Sequence, residues 1–164
     1  MKIAFELNGK PASLEIEPRE TLAEVLRARC RLTGVKLSCE SQVCGTCTVL
    51  VDDIPVSACT YLAYEIRDKQ VTTIEGLADG NRLHPLQQAF LDNFAFQCGF
   101  CTPGMILAAK SLLDENASVS DEEIIAYMSG NLCRCTGYLG ILKAIRQAAA
   151  EVQPHVKPKK RTGE

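Results

Sequence analysis

The chain has 164 residues, a net charge of −2, 46% hydrophobic residues, 5% aromatics and no tryptophan. That length suits one large or two small domains with a real core. The charge argues against nucleic acid as the main partner, and the scarcity of aromatics leaves no platform for stacking bases. The first residues, Met1–Glu6, lack the apolar core of a signal peptide, and no apolar run approaches the roughly 20 residues of a membrane span. The expected location is therefore cytoplasmic, where nine cysteines point to metal rather than to a disulfide framework.

Along the chain, Ile3, Phe5 and Leu7 alternate with polar or small residues. Asn8-Gly9 is a hairpin signal, and Leu14 and Ile16 resume the alternation. Thr21-Leu22-Ala23-Glu24 is a capping box. It opens a helix with Leu22, Val25, Leu26 and Arg29 at helical spacing and a stop near Gly34. Thr46–Val51 reads as a strand, turned by Asp52-Asp53 into Ile54-Pro55-Val56, and a last strand is expected at Gln70–Ile74. The pattern then changes around Glu75–Arg82, where Gly76 and Asp79-Gly80-Asn81 interrupt it.

The second half reads as helices. Leu83-His84-Pro85 opens the first, with Pro85 suited to a first turn. Pro103 opens a second, with Ile106, Ala109, Leu112 and Leu113 on one face. Ser120–Glu123 is another capping box, and Gly130 stops that helix. A last helix runs from about Tyr138 to Val152. The expected class is α+β, with an N-terminal domain over 1–76, a four-helix bundle over 77–154 and a basic tail over 155–164. The tail reads as a solvated end, although it has the charge to dock on an acidic partner.

Eight of the nine cysteines form two groups of four. Cys39, Cys44, Cys47 and Cys59 follow C-x4-C-x2-C…C, the plant-type ferredoxin order for a [2Fe–2S] cluster. Three thiolates within nine residues require a loop that wraps closely round the metal, and Gly45 gives room for it. Matched pairs would suit zinc, and this triple is not a pair of pairs. The second group is Cys98, Cys101, Cys133 and Cys135. Its C-x-x-C and C-x-C steps leave zinc open on spacing alone. Cys101 and Cys135 each precede an expected helix, so two helix N-termini should favour an anionic thiolate centre there.

The remaining tempting residues have plainer readings. Cys30 is the leftover thiol and suits a small buried hydrophobe. His84 belongs to a helix start, and His155 lies in the tail, so a histidine-ligated Rieske centre is not expected. Glu122 and Glu123 read as helix N-terminal charge. Arg134, between two ligands, has the charge to neutralise the second centre or to pair elsewhere. The residues alone leave three readings: an electron-transfer subunit, a freestanding two-cluster ferredoxin, or a zinc-stabilised scaffold.

Three stretches carry a resemblance: Cys39–Val51 (CESQVCGTCTVLV), Gln97–Met105 (QCGFCTPGM) and Asn131–Tyr138 (NLCRCTGY). With them, the chain from about Lys2 to Ala150 resembles the small iron–sulfur subunit of the xanthine oxidase family of molybdenum hydroxylases. The resemblance implies a ferredoxin-like β-grasp domain followed by a four-helix domain, each holding one [2Fe–2S] cluster. It implies a large molybdopterin-binding subunit in which substrate is oxidised. Electrons would then pass through the Cys98/Cys101/Cys133/Cys135 cluster to the plant-type cluster, and usually onward to FAD in a medium subunit. It also implies that Gln97 and Cys135 lie against the pterin. The chain departs from the family at Ser38, at Ser41-Gln42-Val43 and at Asp52-Asp53, where relatives favour glycine. These changes bear on loop geometry and potential, and none removes a ligand.

Overall fold

The computed structural model describes residues 1–116 and 118–151. The tail with His155, and Val152 at the expected end of the last helix, lie outside the described residues. The architecture is mixed α/β, a five-stranded sheet in the first half and helices mainly in the second.

β1 (Lys2–Leu7) and β2 (Lys10–Glu15) form an antiparallel hairpin that closes Leu7 onto Lys10. Asn8 and Gly9 both have positive φ, 50° and 75°, as a two-residue turn of this hand requires. β3 (Thr48–Val51) and β4 (Ile54–Ser57) form the second hairpin, and β5 (Gln70–Thr72) lies between the two. β5 runs parallel to β1 and antiparallel to β3, giving the order β2-β1-β5-β3-β4. The Asp52-Asp53 turn adopts φ of 51° and 66°, so two aspartates tolerate the left-handed region that glycine would occupy freely. Asp52 offsets part of that cost by accepting the Gln70 N–H at 2.9 Å.

α1 (Leu22–Glu24) starts at the expected capping box, with Thr21 and Glu24 exchanging side-chain and backbone hydrogen bonds. It widens into a π turn over Val25–Arg29, and the chain leaves the helix at Arg31, whose φ is 56°. The helix therefore ends earlier than Gly34. Leu22, Val25 and Leu26 are fully buried and pack into the sheet core with Ile3, Val49 and Ile66. Each large side chain so buried contributes about 1.5–3 kcal/mol relative to exposure.

The second half carries α2 (Pro85–Asp92), α3 (Thr102–Glu115), α4 (Asp121–Met128) and α5 (Leu139–Glu151). α4 has the expected Ser120/Glu123 capping box. Phe90, Met105, Leu113, Ile124, Ile141 and Ile145 fill a core of their own. Gly140 lets α5 lie directly on the Asn93–Ala95 backbone, where a Cβ would meet Asn93 O at 3.1 Å.

His84 caps α2, its Nδ1 accepting the Leu86 N–H at 3.2 Å. Burial holds this imidazole below its ordinary pKa, with help from the Lys110 charge and against that of Asp114. The unfolded chain would take up a proton near pH 6.5 while the folded chain resists it. The contribution is thus complete above about pH 6.5 and is lost as pH falls through that value toward the lower folded pKa. His84→Asn keeps an acceptor at the cap and cannot titrate. Melting temperatures at pH 5.5 and 7.5 should differ more in the native chain than in this variant.

Candidate metal centres

The first group of thiols is assembled by the α1–sheet junction. Leu22 N–H bonds Tyr61 O at 2.7 Å and Ala23 N–H bonds Ala58 O at 2.9 Å, which fixes the segment that carries Cys59. Ala58 N–H reaches Cys47 O at 3.4 Å and extends the β3–β4 ladder, so Cys47 and Cys59 face each other. Cys39 and Cys44 interact at the other end of the loop. Between Cys39 and Cys47, Glu40, Gln42 and Gly45 all have positive φ. This curls the loop and turns its N–H groups inward. Ser41, Val43 and Cys44 donate to Cys39 Sγ at 3.5, 3.4 and 3.4 Å. These backbone donors hold Cys39 down at about 6, whereas burial pushes Cys47 up to about 12. Ser41-Gln42-Val43 thus supplies the inward donors although Glu40 and Gln42 must adopt a conformation that favours glycine.

The second group comes from two loops. Cys98 and Cys101 flank Gly99, and Cys101 is the residue that precedes α3. Cys133 and Cys135 lie before α5, which begins at Leu139. Cys101 adjoins α3 directly, whereas Cys135 stands four residues ahead of α5, whose start is within one residue of the expected Tyr138. The sulfurs meet across the loops: Cys98 with Cys135 at 3.6 Å, and Cys101 with Cys133. The Cys98/Cys135 pair is exposed, and the Cys98 thiol as partner raises Cys135. Burial drives Cys101 up to about 12. Burial also pushes Cys133 upward, but hydrogen bonds from the Thr136 side chain and from the Thr136 and Cys135 backbone, with Cys101, bring it down to about 7.

Each location therefore holds two facing pairs of sulfurs, one pair more buried than the other. Two pairs suit two irons. The Thr102 hydroxyl adds a further sign: next to Cys101 in the chain, it is the buried side-chain polar atom without a partner among the described residues, and a bound group would give it one.

The remaining candidates fall where the sequence put them or move modestly. Gln97 donates its side-chain N–H to Cys135 O at 2.9 Å, tying together the two residues expected at the pterin. Cys30 is half-buried against the sheet core, its thiol raised by burial. Glu123 serves the α4 cap, and Arg134 is exposed.

The two loops touch each other. Leu132 N–H donates to Cys44 O at 2.9 Å, and the buried Asn131 side chain donates to Gly45 O at 2.9 Å. Gly45 O also accepts the Thr48 hydroxyl at 2.7 Å. Sequence spacing carried no sign of this seam. Asn131 had been only the first letter of a motif.

Exposed apolar residues flank the second group along the chain. Phe96, Gln97 and Phe100 share the loop of Cys98, while Phe94 (85% exposed) and Leu139 (71%) stand on the two segments that approach where Gly140 lies on Asn93–Ala95.

Residues 5–78 match the family model described as "2Fe-2S iron-sulfur cluster binding domain", and residues 73–146 match "[2Fe-2S] binding domain". The chain is 45% identical over 152 residues to the nicotine 6-hydroxylase small subunit of Paenarthrobacter nicotinovorans, covering 93% of this chain and 92% of that protein. It is 48% identical over 146 residues to the nicotinate dehydrogenase small FeS subunit of Eubacterium barkeri, covering 89% and 93%. It superposes on a chain of quinoline 2-oxidoreductase from Pseudomonas putida 86 with a TM-score of 0.90 at 47% identity, covering 92% and 94%.

Proposed function

Because the chain belongs to the small [2Fe–2S] subunits of the xanthine oxidase family, we propose that it relays electrons between a large molybdopterin subunit and a flavin subunit. Residues 1–76 form the β-grasp domain and the described residues from 77 to 151 the four-helix domain. Cys39, Cys44, Cys47 and Cys59 hold the first cluster, and Cys98, Cys101, Cys133 and Cys135 the second. When bound, each cluster takes up and returns one electron, which divides a two-electron oxidation into single steps.

The observation that carries this reading is the pairing of sulfurs at two locations joined by a direct backbone contact between their loops. The second pair is exposed, and exposed Phe94, Phe96, Phe100 and Leu139 belong to the segments next to it in the chain, the kind of apolar surface that marks a docking site. We place the large subunit there, with Gln97 and Cys135 toward its pterin, and the flavin subunit near the first cluster. No helix among the described residues is long and apolar enough to cross a membrane, in keeping with a cytoplasmic complex.

The test is analysis of the purified complex. Iron and acid-labile sulfide at about four each per chain, two distinct electron paramagnetic resonance (EPR) signals and a co-purifying pterin subunit are expected. A colourless protein with zinc would overturn the reading. So would a chain that purifies alone and serves several unrelated reductases.

A further inference from the structure

Four of the eight proposed ligands are followed by threonine: Cys47-Thr48, Cys59-Thr60, Cys101-Thr102 and Cys135-Thr136. In the first half these hydroxyls are already engaged. Thr48 donates to Gly45 O, and Thr60 contacts Ser57 O and the Gln42 side chain. Thr136 differs, because its Oγ1 lies 3.3 Å from Cys133 Sγ.

That contact closes a small ring. Cys133 N–H donates to the Tyr138 hydroxyl at 2.8 Å, and Tyr138 N–H donates to Thr136 Oγ1 at 3.2 Å. The Thr136 oxygen, engaged as an acceptor, has its own proton free for the sulfur. A ligand thiolate carries no proton, so the hydroxyl is then the only possible donor in the pair. The ring requires a reversal over Gly137 and Tyr138, with φ of 61° and 68°. A bulky tyrosine in that region costs about 1–2 kcal/mol, and the three hydrogen bonds oppose that cost.

We propose that Thr136 is a positioning residue whose hydroxyl, held by the Thr136–Tyr138 ring, donates to the Cys133 ligand sulfur and raises the reduction potential of the second centre. This rests on the ligand set proposed above. Reduction adds negative charge to the centre, and a donor to a ligand sulfur stabilises the more negative state more strongly. The two centres are thereby set by different means. Cys39 receives backbone N–H groups, which only a substitution to proline removes directly. Cys133 receives, beside the backbone N–H groups of Cys135 and Thr136, a side-chain hydroxyl, which evolution can change one atom at a time.

The test is an EPR-monitored redox titration of the whole complex. T136V preserves shape and removes the donor. It should reduce the reduction equilibrium constant of the second centre about tenfold, a fall of about 59 mV for one electron. T136S should keep the native potential, and the first centre should not shift in either variant. The exchangeable-proton couplings of the reduced second centre should include one from the hydroxyl that is lost in T136V and T136A, while those of the backbone N–H groups persist. An unshifted potential in T136V, with the second signal present, overturns the assignment and leaves the ligand set standing. Loss of the second centre in both T136V and T136A also overturns it, because the residue would then serve assembly. A native complex without the second signal would instead remove the ligand set itself.

Discussion

Cys44→Ser should strip the first centre from the complex and leave the second in place. A serine oxygen is a hard, poorly ionised donor where iron wants soft thiolate. The substitution leaves the backbone alone, so the Cys44 carbonyl can still receive Leu132 N–H and the seam can survive. Iron should fall from about four to about two per chain, and the first EPR signal should vanish. Substrate should still reduce the second centre. Turnover with the native acceptor should drop by at least about 100-fold, the upper end of what losing a mere supporting partner of a ligand costs. A normal rate in the variant would contradict a serial path.

The second large effect is expected at a pair of glycines that face one another across the seam. Gly45 has φ of 66°, and a Cβ there would lie 2.5 Å from Gly130 O and 2.6 Å from Asn131 Nδ2. Gly104, in the first turn of α3, would place a Cβ 2.5 Å from Gly45 O and 3.0 Å from Thr46 O. Alanine at Gly45 costs about 1–2 kcal/mol for the left-handed backbone and about 1–3 kcal/mol for overpacking. Gly104→Ala gives a sharper test of sign. Helix propensity alone would make alanine stabilising by about 1 kcal/mol, whereas the clash with backbone makes it destabilising. Both variants should melt earlier than the native complex and lose intensity in the first EPR signal. Together they should cost less than their sum, since each displaces the same loop. Asn131→Ala is the mild control, at about 1 kcal/mol, because Gly45 O keeps its bonds from Thr48. A G104A complex that melts later than native would refute the close approach.

Local signals in the sequence translated well where the chemistry is local. Asn8-Gly9, Thr21/Glu24 and Ser120/Glu123 each satisfy backbone groups within a few residues, and each turn or cap stands where its residues predict. The two sets of thiols were legible from spacing for the same reason. What escaped was long-range. That Cys98 meets Cys135 and Cys101 meets Cys133 depends on how two loops far apart in sequence approach each other. The start of α5 at Leu139 agrees with the expected start near Tyr138, but the Thr136–Tyr138 ring that precedes it carries no sequence signal. The π turn at Val25–Arg29 follows from exit at Arg31, a residue with no breaker signature. Asp52 and Asp53 show the converse, a turn kept without its usual glycine by one side-chain hydrogen bond.

The seam also limits modular exchange. Because Asn131 and Leu132 grip the carbonyls of Gly45 and Cys44, neither half carries its own complete boundary. A chimera that takes its first 76 residues from one homologue and the remainder from another inherits a working junction only if donor and recipient agree at 44–46, 104 and 130–132. Divergence within the lineage should accordingly move these few positions as a block, while the surrounding surface drifts freely.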